Sequence, residues 1–144
     1  MNPSLSQSIR AVWTQTHSSA SLDFPTTVST LLALGVSRYH IDYVTKTATA
    51  YVPDAQTGKT DVDRADIPAI NASPGAWNKQ GLVDAIRWVQ SAAPDYSYTA
   101  FARRCVEAGV TDYHAYLEGQ KVVYLGGLGD VHVEWFPGAG PKDV

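Results

Sequence analysis

Three histidines, His40, His114 and His132, are the residues of this chain best suited to chemistry. Imidazole moves protons near neutral pH because its unperturbed pKa lies at about 6.5. Side chains two apart share a face of a strand, and opposed residues of a hairpin share one too. On that pattern His40, His114, His132, Tyr51 and Tyr116 form the expected catalytic group, and Asp42, Glu134, Phe136 and Lys121 are expected to contact substrate. A tyrosine hydroxyl donates to a developing oxyanion. A carboxylate such as Asp42 or Glu134 holds an imidazole in one tautomer. These are the parts of a cofactor-independent isomerase, cyclase or lyase acting on a small, in one version phenolic, molecule. A non-catalytic dimeric protein that binds a small molecule would use the same residue types.

Neither a metal nor a cofactor is expected from the spacing. His114 and His132 should flank Val123 at two strand spacings, roughly 10 Å, too far for one shared ion. No H-x-x-x-H spacing relates His17, His40, His114 and His132. Gly126-Gly127-Leu128-Gly129 lacks the Lys-Ser/Thr ending of a phosphate loop. Asp61, Asp63 and Asp66 lack the central Gly and closing Glu of a calcium loop. Cys105 sits at an inner-looking helix position and is expected to be a small buried hydrophobe.

The elements that must position these residues come twice. Leu34-Gly35-Val36-Ser37-Arg38-Tyr39-His40 and Ala108-Gly109-Val110-Thr111-Asp112-Tyr113-His114 match at Gly, Val, Tyr and His at one offset. A helical pattern precedes each match and a hairpin pattern follows it. The first helix opens at Asp23-Phe24-Pro25 and carries Val28, Leu31 and Leu32; the second opens near Ser97 and carries Phe101, Cys105 and Val106. Gly35 and Gly109 end them, where a left-handed residue is wanted. Hairpins over 39–52 and 112–125 follow, then a strand over 130–136 and a shorter counterpart around 59–62. Further helices are expected over 5–17 and 79–92, with an irregular connector over 67–77. The expectation is an α+β fold in a single domain, 1–144, with two diverged helix–β-hairpin(–strand) repeats over about 23–62 and 97–137. A connector with a helix, 63–96, joins them, and helices cover one face of an antiparallel sheet.

Even-numbered turns assign the faces. One face takes Tyr39, Ile41, Tyr43, Ala48, Ala50 and Val52 in the first copy, and Tyr113, Ala115, Leu117, Val122, Tyr124, Val131, Val133 and Trp135 in the second. The other takes the histidines with Tyr51, Tyr116, Asp42, Lys121, Glu134 and Phe136. A slip of one residue in any turn swaps the assignment. The aromatic residues of the second face call for a cover, such as a pocket or a second subunit in a homodimer.

The 144 residues suit one domain able to bury a core, with 44% hydrophobic and 17% charged residues. The formal charge of −3 and the scattering of eleven Lys and Arg argue against nucleic acid. No apolar run approaches the roughly 18 residues of a membrane span. Met1-Asn2-Pro3-Ser4 lacks the regions of a signal peptide. With one cysteine, a cytoplasmic location is expected.

The stretch "YTAFARRCVEAGVTDYHAYLEGQKVVYLGGLGDVHVEWFP" resembles the C-terminal part of the YdfO-like domain-of-unknown-function family, and "FPTTVSTLLALGVSRYHIDYVTKTATAYV" resembles its N-terminal part. The "AGV..YH" and "VHVEWFP" pieces carry most of the likeness, which spans about residues 20 to 137. The resemblance implies an α+β fold and a cytoplasmic protein, and transfers no catalytic residue. Members are often labelled phage envelope proteins, so a phage-derived accessory protein joins the non-catalytic alternative.

Overall fold

Side-chain caps set where the helices begin. Asn2, Asp23, Asn78 and Ser97 each accept a hydrogen bond from a backbone N–H of the first turn, opening α1 (Pro3–Thr16), α2 (Phe24–Ala33), α3 (Lys79–Gln90) and α4 (Tyr98–Glu107). Pro3 and Pro25 sit in first turns, where no intrahelical N–H is needed. The computed structural model describes residues 1–141. Its strands are β1 (Arg38–Asp42), β2 (Thr47–Pro53), β3 (Thr60–Asp66), β4 (Val110–Tyr116), β5 (Lys121–Gly126) and β6 (Val131–Trp135). Residues 67–78 between β3 and α3 are irregular, as their prolines and glycine suggest.

The repeated order is therefore two helices followed by a three-stranded meander, α1–α2–β1–β2–β3 and then α3–α4–β4–β5–β6. Each unit is one helix longer than the motif match alone implies. β3 is also longer than its short expected counterpart and runs to Asp66.

All neighbouring strands are antiparallel, in the order β3-β2-β1-β4-β5-β6, forming the α+β fold expected of the chain. The two meanders join through β1 and β4, where His40 lies directly opposite His114. An approximate twofold axis therefore passes through the sheet between these residues.

Helices cover one face. Ile9, Trp13, Leu31, Leu82, Ile86, Phe101 and Cys105 pack on Tyr39, Ile41, Ala48, Ala50, Tyr113, Ala115, Val122 and Tyr124. At roughly 25 cal/mol per Å² of apolar surface removed from water, this layer is the main source of stability. Asp63 of β3 also turns to this side. It is buried and accepts hydrogen bonds from Ser6 Oγ at 2.6 Å and Arg10 Nε at 3.3 Å, tying α1 to the sheet edge.

One face assignment is corrected. Leu125 pairs with Val131 and Tyr124 with His132, so the turn consists of residues 126 to 130, an odd number. Gly126 and Gly129 close it through Gly126 N–H to the Asp130 carbonyl at 2.8 Å and Gly129 N–H to the Gly126 carbonyl at 3.1 Å. The extra residue inverts β6. His132, Glu134 and Phe136 fall on the helix side, while Val131 (55% exposed) and Val133 (42%) turn to the open face. Val123 opposes His114 on one side and Val133, not His132, on the other.

Candidate functional site

The expected site residues divide between the two faces. His40, His114, Tyr51, Tyr116, Asp42 and Lys121 lie on the open face. His132, Glu134 and Phe136 lie on the covered face, so the three histidines do not share a site.

On the open face the imidazoles of His40 and His114 stack, with centroids 4.2 Å apart and planes 17° from parallel. His40 Nε2 donates to Asp112 Oδ2 at 2.8 Å, and Thr111 Oγ1 donates to Asp112 Oδ1 at 2.6 Å. Burial, then the neighbouring His40 and Arg38, hold the His114 imidazole below its usual range against the pull of Asp112. The rings of Tyr116 and His114 also stack, with centroids 5.9 Å apart. Three of the expected residues have structural partners. Asp42 Oδ1 accepts from Val44 N–H and Thr45 N–H in the first hairpin turn, Tyr51 lies under the Arg38 guanidinium at 3.7 Å, and Lys121 Nζ lies 4.8 Å from the Trp135 ring centre. A shallow hollow of about 370 Å³ beside His40 is lined by Asp42, Thr49, Tyr51 and Arg64.

The larger cavity, about 460 Å³, lies on the other side, between the helices and the covered face. All four helices contribute, through Trp13 of α1 with its C-cap His17, Phe24 of α2, Ile86 of α3 and Tyr98 of α4. Tyr39, Tyr113 and Tyr124 form its floor, and Glu134 and Phe136 stand at the β6 side. Its volume falls within the roughly 300–1,000 Å³ of small-molecule sites.

His17 is the titratable base of this cavity. Its Nδ1 lies 2.8 Å from the Trp13 carbonyl oxygen. A carbonyl only accepts, so Nδ1 carries the proton and Nε2 keeps its lone pair. Burial lowers the imidazole pKa, and the hydrogen bond to Trp13 offsets only part of that, so the ring is neutral at pH 7. Nε2 is buried and has no hydrogen-bond partner among the described residues; the same is true of Trp13 Nε1, one helical turn earlier. The end of α1 thus carries an unused acceptor and an unused donor four residues apart. Each costs about 1–3 kcal/mol if unmet.

Tyrosine hydroxyls supply neutral donors. Tyr98 Oη lies 2.8 Å from Tyr113 Oη and 3.1 Å from Tyr43 Oη, and the Tyr98 and His17 rings meet edge to face with centroids 5.0 Å apart. Burial pushes the hydroxyls of Tyr39, Tyr43, Tyr98, Tyr113 and Tyr124 above the usual phenol range. Tyr96 is pushed up to about 12 by burial and by Asp23. Glu134 is one of two carboxylates at the cavity, with the helix-capping Asp23. Burial opposes its charge, but Arg87 Nη1 at 2.8 Å and His132 Nε2 at 3.1 Å together hold the carboxyl below its ordinary range. His132 therefore orients Glu134 and stacks near Tyr124. The lone thiol, Cys105, lies in the core with its pKa raised by burial, the opposite of what a nucleophile needs.

Reasoning from strand alternation missed Trp13 and His17 because one lies on a helix and the other caps its end. A signal was present: Ile9, Trp13 and His17 recur every fourth residue, so a histidine continues the apolar stripe of α1. The inner tyrosines were legible as core, and their role as cavity floor depends on how far the helices stand off the sheet.

The chain matches no protein-family model and no curated protein. Among the described residues, no helix is long and apolar enough to cross a membrane.

Proposed function

We propose that this protein is an acid–base enzyme, of isomerase, cyclase or lyase type and independent of a cofactor, acting on a small aromatic molecule in the cavity between α1 and the sheet. The observation that carries the reading is that His17 and Trp13 both line a cavity walled by aromatic side chains, each with a buried ring nitrogen that has no partner among the described residues. Nε2 takes a proton from the bound molecule and returns it at another atom. Such a transfer needs no net proton and no redox partner. Trp13 Nε1–H donates to a substrate oxygen, and neutral tyrosines favour charge developing on it. His40, His114, Tyr51, Tyr116, Asp42 and Lys121 lie outside this reading, and His132, Glu134 and Phe136 support its β6 wall. The protein is taken to work in the cytoplasm, without nucleic acid or membrane partners. Kinship with the YdfO-like family is part of the same proposal, resting on the two matching stretches.

A second reading is a non-catalytic binding protein, including a phage-derived or dimeric accessory protein. The mutual hydrogen bonding of Tyr43, Tyr98 and Tyr113 favours it, because those hydroxyls are already occupied.

Small phenols and enolisable aromatic ketones, incubated with the protein in D2O, separate the two by NMR. The enzyme reading expects saturable binding and deuterium incorporation or product formation, both reduced by His17→Gln while the fold is retained. Binding without exchange or product supports the second reading. Binding unaffected by His17→Gln and Trp13→Phe removes the cavity from both.

A further inference from the structure

We propose that His40, His114 and Asp112 form a binding site for a divalent transition-metal ion, such as Zn2+, on the open face of the sheet, with solvent completing the coordination. One ligand atom from each residue lies within 4.8 Å of the others. The three come from adjacent central strands, with His40 directly opposite His114 and Asp112 two residues away on the same face. They are therefore held by strands that are paired on both sides rather than by a loop.

The His40–Asp112 distance needs little change. Zinc binds imidazole nitrogen at about 2.0–2.1 Å and carboxylate oxygen at about 2.0–2.2 Å, which separates tetrahedral donors by roughly 3.3 Å. His40 Nε2 and Asp112 Oδ2, now 2.8 Å apart, would open by about half an ångström as the ion replaces the shared proton. The stacked His114 ring turns about χ2, a torsion with a broad profile, to aim a nitrogen at the same point. His114 Nδ1 is buried without a partner among the described residues, and a hydrogen-bonded His40–Asp112 pair by itself leaves that atom unexplained. Thr111 Oγ1, on Asp112 Oδ1 at 2.6 Å, supplies the outer hydrogen bond that orients a ligating carboxylate.

Chemistry selects the ion. Two imidazoles and one carboxylate favour zinc, copper or nickel over calcium and magnesium, which take oxygen. On the same face Arg38 opposes a cation, but its guanidinium is seated on Tyr51, and Asp42 opposite Asp112 adds negative charge. The open face leaves the fourth position to water, the pattern of three protein ligands and one exchangeable site. The cavity lies across the sheet, so this site and the proposed function stand or fall separately.

The test uses the full chain stripped with EDTA and titrated with Zn2+. Calorimetry should show one equivalent bound per chain. NMR of 15N-histidine side chains in the wild type should show His40 and His114 changing and His17 and His132 unmoved. His40→Ala, His114→Ala and Asp112→Asn should each weaken binding by about ten-fold or more, with the fold checked by circular dichroism. Three results would overturn the site: no stoichiometric binding, undiminished affinity in the double variant His40→Ala/His114→Ala, or shifts confined to other histidines. The NMR result needs no variant, so a variant that fails to fold does not remove the test.

Discussion

His40 and His114 meet ring to ring across the β1–β4 seam, 4.2 Å apart and opposite one another in register. They occupy equivalent points of the two repeats and lie at the approximate twofold axis of the sheet. The flanking residues have diverged. At the shared offset, Arg38 stands where the second copy has Asp112, and Asp42 where it has Tyr116. Only one side of the axis therefore offers a carboxylate to the pair, which makes the His40–Asp112 bond one-sided. The duplicated backbone brings like residues together, and the later differences give the pair its chemistry.

Tyr98→Phe should destabilise the protein by about 1–3 kcal/mol, because it strands the hydroxyls of Tyr43 and Tyr113 in the interior. Tyr43→Phe removes only an end of the chain of hydroxyls and should cost about 0.5–1.5 kcal/mol. Urea unfolding of both variants checks the order.

His17 makes stability depend on pH. Its folded pKa lies below the ordinary 6.5, so on acidification the unfolded chain takes up a proton first. Stability should fall as pH drops below 6.5 and level off below the folded pKa, as far as this group is concerned. His17→Gln should remove that part of the slope in denaturation measured from pH 8 down to about 5.

Glu134 acts in a lower window. Its folded pKa lies below the ordinary 4.5, so its contribution is present above 4.5 and is lost as pH falls through the folded value. Glu134→Gln should be less stable than the wild type at pH 7, with the gap closing below about pH 4. A gap that persists unchanged at low pH would mean the loss comes from packing rather than from the bonds to Arg87 and His132.

The two helix-ending glycines should respond differently to alanine. Gly35 has φ 88° and a new Cβ there would meet only Val52 Cγ1 at 3.5 Å, so about 1–2 kcal/mol of backbone strain is expected. Gly109 has φ 92° and a Cβ would stand 2.6 Å from backbone atoms of Trp77. Gly109→Ala should therefore cost clearly more, and thermal melts of the two variants will show it.

Cys105 should stay silent to thiol reagents at pH 8 while the protein is native, and react at once in denaturant. Rapid native labelling would show that the core opens readily around α4.

Local signals determined much of the fold from the sequence by itself. Asp23, Ser97 and the two glycines mark helix ends because capping and left-handed backbone depend on one or two neighbouring residues. The first two hairpins keep their faces because their turns, residues 43–46 and 117–120, are even and the apolar alternation survives any even shift. Tertiary structure decided the rest. Whether His132 faces the helices or the open side depends on one residue in the 126–130 turn, and glycines tolerate either count. The meeting of His40 with Asp112 and His114 arises from pairing of two strands far apart in the chain, which no spacing encodes. The emergence of His17 as the cavity's base depends on how closely α1 packs over the sheet. Strand alternation states which side a residue takes; only packing states whether that side is core, cavity or open surface.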